Sequence, residues 1–347
     1  GSEYDAGFSI QKNKSGKFIL AGGTSSTDIS APSSGLQSSN GGGRNDGYIA
    51  ILDTVNYVIE SFTYWGSASY DNNYFVDIDT DDNIVVFGQS EDNTNYFIQQ
   101  ANNYKDLKSC QYISKFSPDL TSLIWSTTFG NGIGIPNISP TAFLTDACDK
   151  IFVSGWGSNT NAHSSYTNAI NLTTFGLKVT GNAIQNTTDN DDLYLAIFDK
   201  NADSLLFATY IGGATSHEHV DGGTSRFDKK GIVYQAVCAG CGKNSDFPIY
   251  PINAVSPQNR SSNCNLAVFK LDPQLNNTAA NFVVDGPYCI SDPVVFQNHS
   301  QYYDFAQWDF GDGTTSNSKN PTHQYTQPGK YLVCNLKPEL QYPRFYF

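Results

Sequence analysis

The sequence predicts an all-β protein built from a repeated four-stranded unit, and three observations carry that expectation. No segment shows the 3.6-residue apolar period of a helix; the apolar runs are short and bounded by Gly, Asn and Asp. Only 15% of residues are charged, while Gly, Ser, Thr, Asn, Tyr and Phe abound, which suits pleated strands and turns. A strand–turn–strand pattern also recurs: Asp46–Gly66 (DGYIAILDTVNYVIESFTYWG), Cys110–Gly130 (CQYISKFSPDLTSLIWSTTFG), Leu193–Gly213 (LYLAIFDKNADSLLFATYIGG) and the opening of a fourth copy at Asn263–Asp272 (NCNLAVFKLD).

The most regular copy sets the template. Tyr194, Ala196 and Phe198 alternate with Leu195 and Ile197, a polar turn follows at Lys200–Ser204, and a second run ends in two glycines that permit a sharp exit. An earlier strand pair precedes each copy of this hairpin: Phe8–Ser25, Tyr74–Ser90, Ala142–Ser158 and Thr224–Gly240, each divided by a short polar turn. Four copies therefore start near Gly1, Gly66, Gly130 and Gly212, and span 1–65, 66–129, 130–211 and 212–280. Four strands per copy with variable loops is the pattern of a β-propeller blade, because one four-stranded sheet cannot cover both of its apolar faces but neighbours around an axis can. At least four blades are expected. Gly1-Ser2 matches Gly66-Ser67, so the expectation is a larger ring within a longer chain. A β-sandwich array is the alternative.

Loops Ser25–Asn45, Glu91–Ser109 and Asn159–Asp192 differ between copies, and variable loops of repeat arrays are where binding usually sits. After Leu271 the rhythm ends, and residues 281–347 form short alternating strands with Gly/Asp/Asn/Pro turns, as in a small immunoglobulin-like sandwich that is expected to be cut short. The closing stretch LKPELQYPRFYF shows no strand-like alternation.

The net charge of −13 argues against nucleic acid and anionic membranes as partners, and fits a soluble surface or divalent-cation binding. No apolar span of about 20 residues is present. The chain also lacks G-x-S-x-G, H-E-x-x-H and P-loop motifs. No carboxylate pair sits in a context that predicts a raised pKa, so the expectation is a non-enzyme.

Two stretches resemble known families. Trp308–Gly313, with Pro321, His323, Tyr325, Gly329, Tyr331 and Val333, resembles the PKD domain, marked by W-x-F-G-D-G, P-x-H-x-Y and G-x-Y-x-V. That resemblance implies an extracellular spacer or binding module without catalysis. Asp192–Phe198, Leu206–Gly213 and Ser245-Asp246-Phe247-Pro248 resemble SBBP-type β-propeller repeats of secreted bacterial proteins. Propeller repeats followed by a PKD domain are similar to large surface proteins of Bacteroidota, which implies type IX secretion and a link to gliding motility or adhesion.

Among candidate sites, His217, His219 and Asp221 alternate, so on a strand they share one face and suit zinc or another divalent metal. The competing reading, which is preferred, is a loop whose side chains bond to backbone or Arg226 and lead into a blade. Asp77–Asn83 and Asp189–Asp192 are acidic loops that could hold Ca²⁺, but the first lacks the glycine and distal Glu of a calcium loop and coincides with a hairpin turn. No cofactor is otherwise expected. Seven cysteines with one C-x-x-C fit an exported protein with structural disulfides. Cys264 could bridge Cys238 or Cys241, closing a loop of roughly 25 residues for about 3 kcal/mol. Cys148 could reach the other of that pair, Cys289 and Cys334 could pair within the second domain, and Cys110 is left over. Asp53-Thr54-Val55 and Asp203-Ser204-Leu205 resemble the D-(S/T)-apolar O-glycosylation acceptor of Bacteroidota, which implies glycans on Thr54 and Ser204.

The expected function is a non-enzymatic, extracellular cell-surface scaffold for adhesion or protein docking, with other surface proteins or surface glycans as partners. The alternative is a carbohydrate-binding or carbohydrate-processing accessory protein.

Overall fold

The structure, a computed structural model, describes residues 1–29, 32–100, 104–157, 172–220, 225–228, 231–250, 253–273, 282–284, 290, 292–298, 306–336 and 344–346. The chain divides into two compact units, Gly1–Pro273 with Arg344–Phe347, and Gln274–Pro343.

In the first unit the repeat becomes a series of antiparallel sheets. Strands β1 (Asp5–Lys12) and β2 (Phe18–Thr24), then the two-residue β3 (Ser33–Ser34), then β4 (Asp46–Leu52) and β5 (Ile59–Trp65) form the first, ordered β1-β2-β4-β5 with β3 parallel beside β5. The second holds β6 (Asp71–Ile78), β7 (Ile84–Ser90), β8 (Gln111–Phe116) and β9 (Leu123–Phe129), and the third β10 (Ser139–Thr145), β11 (Ile151–Trp156), β12 (Leu193–Phe198) and β13 (Leu205–Ile211). Both are simple up-and-down meanders. The fourth begins with β14 (Ser225–Phe227), β15 (Val233–Ala239) and β16 (Asn265–Asp272).

The same irregularities recur in the first three copies. The first strand carries an extra residue between Gly7 and Ser9, Asn73 and Phe75, and Pro140 and Ala142, and the fourth strand carries one, Glu60, Ile124 or Leu206, opposite the end of the third. Each bulge strengthens the local right-handed twist of its sheet. Consecutive first strands lie together: β6 packs on β1, β2 and β4, β10 on β6 and β7, and β14 on β10.

Alternation explains the cores between sheets. Ile19, Ala21, Ile49, Ile51 and Trp65 meet Ile84, Val86, Tyr112 and Phe116 across the first interface. Val85, Phe87, Ile113, Trp125 and Phe129 meet Tyr194, Ala196 and Phe198 across the second. The alternate set, Leu195 and Ile197, is also buried, at 2% and 0% exposure, because the sheet is covered on both faces. Four-stranded sheets stacked in sequence are what the described residues show; a closed ring is not.

Polar ties cross the second interface as well. Asp77 Oδ2 accepts the Thr145 N–H at 2.7 Å and its hydroxyl at 3.0 Å. Thr80 donates its N–H and hydroxyl to Asp149, at 2.8 and 2.7 Å, while Lys200 Nζ lies 3.0 Å from the same carboxylate. Asp79 accepts the Asp81 and Asn83 N–H groups and pairs at 2.5 Å with the buried Lys115 ammonium. The Asp77–Asn83 carboxylates thus hold a hairpin turn and an interface.

The second unit is a two-layer sandwich of β17 (Phe282–Val284), β18 (Val294–Asn298), β19 (Gln307–Asp309), β20 (Thr315–Ser316), β21 (Thr322–His323) and β22 (Cys334–Leu336), in sheets β17-β18-β21 and β20-β19-β22. Trp308 is fully buried among Phe296, Phe282 and Val294, and its indole donates to the Ser318 carbonyl at 2.9 Å. Gly311, at φ +75°, lets the chain turn where a side chain would collide with the Leu332 backbone. The His323 ring stacks on Phe310 and bonds Asp312 at 2.7 Å. A last strand, β23 (Arg344–Tyr346), pairs antiparallel with β16 and completes the fourth sheet. No alternation is visible there in the sequence, because three residues on a sheet edge are too few to display a period of two.

Phe87 is fully buried, with ring neighbours Phe75, Phe129 and Phe143. Phe87→Ala is expected to cost about 3–5 kcal/mol, read as a lower denaturant midpoint of the repeat unit; an unchanged midpoint would contradict the packing described.

Candidate functional site

Three structural features qualify as candidate sites: buried carboxylates at the joints between sheets, the histidine–cysteine region of the fourth copy, and an apolar cavity beside it.

Each joint is built on the glycine that ends a fourth strand. The loop between the second and third strands runs back along the fourth, and one of its side chains accepts the glycine N–H: Gln37 for Gly66 at 3.2 Å, Asp106 for Gly130 at 3.3 Å, and Gln185 for Gly212 at 3.0 Å. The start of the next copy then supplies an acceptor for the following N–H: Asp71, at the head of β6, for Ser67 at 2.6 Å, Asn137, just before β10, for Asn131 at 3.0 Å, and Glu218, in the segment before β14, for Gly213 at 3.1 Å. Asp46 and Asp192, each two residues before a third-strand tyrosine, are fully buried against these glycines. A Cβ on Gly66 would lie 2.4 Å from Asp46 Oδ1, and one on Gly212 would lie 1.8 Å from Asp192 Oδ1, so only glycine fits. Cys110 takes the corresponding place in the second copy, where burial pushes its thiol up to about 12.

Burial also shifts these acids. Desolvation raises Asp46 and Asp192 to about 7 and Asp71 to about 6. Glu218 rises to about 8, by desolvation first and then by the nearby Asp192 charge. Oδ1 of Asp46 and Oδ1 of Asp192 have no hydrogen-bond partner among the described residues, a state a neutral carboxyl tolerates better than a charged one. The sequence showed no context for raised pKa values because the desolvating sheet belongs to another copy. The repeated Gly35-Leu36-Gln37 and Ala183-Ile184-Gln185 triplets are the sequence signal that marks the joint.

The histidines expected to share a face go to different partners. His217 Nδ1 lies 2.5 Å from Asp191 Oδ2. His219 instead exchanges backbone hydrogen bonds with Cys238, at 3.1 and 2.9 Å, and its Nδ1 is 3.7 Å from Cys241 Sγ. Asp221 lies outside the described residues. Cys241 is bonded to Cys264 across 23 positions, one of the two bridges left open for Cys264. Cys148 is exposed in the turn after β10 and Cys334 opens β22; Cys289 lies outside the described residues. Of the two hydroxyls in D-(S/T)-apolar triplets, Ser204 is exposed and Thr54 half-buried, both in turns between third and fourth strands.

The Cys241–Cys264 loop walls a cavity of about 390 Å³. Phe247, Pro248, Ile249, Val255, Leu266 and Val268 form its apolar lining, with Asn244 and Asn259 at its polar side. Asn259 donates to the Gly240 carbonyl at 3.0 Å and to the Asn263 carbonyl at 2.7 Å, which fixes the loop.

Residues 289–335 match the PKD domain family, so the chain is an all-β protein carrying a PKD domain. Solved structures align at low similarity. A PL25 polysaccharide lyase, an ulvan lyase bound to -[GlcA(1-4)Rha3S]-, aligns at 12% identity over 91% of this chain and 70% of its own, with a TM-score of 0.36. The extracellular domain of a putative hybrid two-component system from B. thetaiotaomicron aligns at 12% identity over 98% of this chain and 56% of its own, with a TM-score of 0.17. A one-component counterpart from the same organism aligns at 11% identity over 97% and 54%, with a TM-score of 0.16. The chain thus spans just over half the length of the latter two, and likenesses at these scores carry no argument. No curated protein matches the chain.

An acid with a raised folded pKa keeps a proton that the unfolded chain has already lost, so stability falls as pH rises from about 4 to about 8. Asp192→Asn removes one such group and relieves Glu218. We expect the variant to show a flatter stability–pH curve over that window and to exceed the parent by more than about 1 kcal/mol at pH 8, by denaturant unfolding at several pH values. Parallel curves for the two proteins would show that Asp192 is not held neutral.

Proposed function

We propose that this chain is a non-enzymatic, extracellular scaffold whose repeats are blades of a β-propeller and whose loops dock other surface proteins, with the PKD domain as a spacer. The observation that carries this reading is repetition. Buried acids with raised pKa values are what a general acid needs, and Asp46 with Asp71 or Asp192 with Glu218 would qualify in isolation. Yet the two pairs occupy equivalent joints after different copies, and Asp71 and Glu218 accept equivalent strand-end N–H groups. A catalytic pair occurs once; this joint recurs after the first, second and third copies.

The propeller reading draws support from the row of adjacent first strands and from the last sheet. Leu266 and Val268 are 70% and 57% exposed, whereas the matching Leu195 and Ile197 of the third sheet are buried. That apolar face has the character of one a further blade covers. Docking of protein is favoured over sugar because the cavity beside it offers one aromatic ring, Phe247, among aliphatic walls, rather than aromatic platforms edged by polar groups. Export by the type IX route, a Bacteroidota source, a role in gliding or adhesion, and glycans on Thr54 and Ser204 belong to the same proposal, through the resemblance of the repeats and the PKD match.

A glycan array combined with a polysaccharide-cleavage assay tests it. The expected result is neither saccharide binding nor turnover. Cleavage abolished by Asp192→Asn or Glu218→Gln would overturn the scaffold reading in favour of a carbohydrate-processing one. The mass of protein from its native source, with and without an increment on the peptides holding Thr54 and Ser204, tests the glycans.

A further inference from the structure

Four soft or borderline ligand atoms converge in the fourth copy. The imidazole of His219 and the sulfurs of Cys238, Cys241 and Cys264 all lie within 4.8 Å of one another. They come from three separate segments: His219 precedes β14, Cys238 and Cys241 straddle the end of β15, and Cys264 immediately precedes β16. The backbone fixes them before any ligand is present. His219 and Cys238 are locked opposite each other by a two-bond bridge. Gly240, at φ +64°, turns the chain back between Cys238 and Cys241, so that both sulfurs reach the same side. A zinc ion with Zn–S bonds of about 2.3 Å spaces its ligand atoms by roughly 3.8 Å in a tetrahedron, a spacing within reach of this cluster once reduction of the Cys241–Cys264 bond to two thiols lets those sulfurs separate.

We propose that His219, Cys238, Cys241 and Cys264 form a structural zinc site in the reduced chain. Three thiolates and one neutral imidazole are the soft, nitrogen–sulfur donor set that selects zinc, and they fill all four positions, so no water is left to activate. The site is structural, independent of the scaffold reading above. A bond between Cys241 and Cys264 uses two of the four groups, whereas the metal uses all four; the same two sulfurs cannot do both, since zinc requires them as thiolates. Zinc here would tie the His219 segment, β15 and β16 together and pin both ends of the loop that walls the cavity.

The test uses the full chain, produced with zinc and kept under reductant, then exchanged into metal-free buffer. We expect one zinc per chain by elemental analysis, and, after cobalt replacement, a thiolate-to-cobalt charge-transfer band with the intense visible bands of a tetrahedral ion. Cys238 lies outside the Cys241–Cys264 bond, so Cys238→Ser leaves that bond possible while removing a ligand. This variant is expected to lose bound zinc at least tenfold while keeping its circular dichroism, and Cys148→Ser to retain the full complement. A reduced parent chain without stoichiometric zinc, an octahedral cobalt spectrum, or full zinc retention by a folded Cys238→Ser would each overturn the proposal.

Discussion

A four-stranded sheet in this protein is apolar on both faces, and everything else follows from the need to cover them. Tyr194, Ala196 and Phe198 belong to the core shared with the second sheet, while Leu195 and Ile197 are buried on the other side. A lone copy would leave one of these sets in water, at about 1.5–3 kcal/mol for each large side chain. No copy is therefore a folding unit by itself, and stability is shared between neighbours as in other repeat arrays. The recurring bulges matter for the same reason. They sit at equivalent places in the first three sheets, where they strengthen the twist with which each packs on its neighbour.

Stacking twisted sheets brings strand ends, with their unpaired N–H groups, into the dry junction between copies. The chain answers with amide and carboxyl side chains: Gln37, Asp106 and Gln185 from the loops, and Asp71, Asn137 and Glu218 from the start of the following copy. Neutral amides do this at no electrostatic cost. Asp71 and Glu218 do it with raised pKa values, and the buried Asp46 and Asp192 beside the same glycines are raised as well. Raised pKa values are commonly read as signs of catalysis. Here they follow from burial at a joint that recurs, at Asp46 with Asp71 and again at Asp192 with Glu218.

The strand pairs of the first three copies were legible in the sequence, because their alternation and polar turns are local properties. The PKD hallmark was legible for a similar reason: Trp308, Gly311, His323 and Tyr325 meet through a short hairpin network. The joints were not legible, since Gln37 reaches Gly66 from far along the chain and Asp46 is desolvated by residues outside its own strand. At His217 and His219 alternation offered a shared strand face and the preferred reading was a loop leading into a blade; the segment before β14 is irregular, and each ring follows its own partner. The C-x-x-C pair was visible, whereas its convergence with His219 depends on a strand bridge that no spacing rule reports.

The fourth copy departs from the others in where its last strand comes from. In the first three copies, the loop after the second strand is anchored to a fourth strand that follows directly in sequence. In the fourth, the strand beside β16 arrives from Arg344–Tyr346, far along the chain. The loop is held from within. Asn259 binds two of its carbonyls, and sulfur chemistry at Cys241 and Cys264 closes its base. Cross-linking the loop base in this way reduces the freedom of the segment between β15 and β16. The Cys241–Cys264 bond thus closes the loop of the described sheet whose last strand comes from far along the chain, whereas in the first three copies a neighbouring strand does that holding.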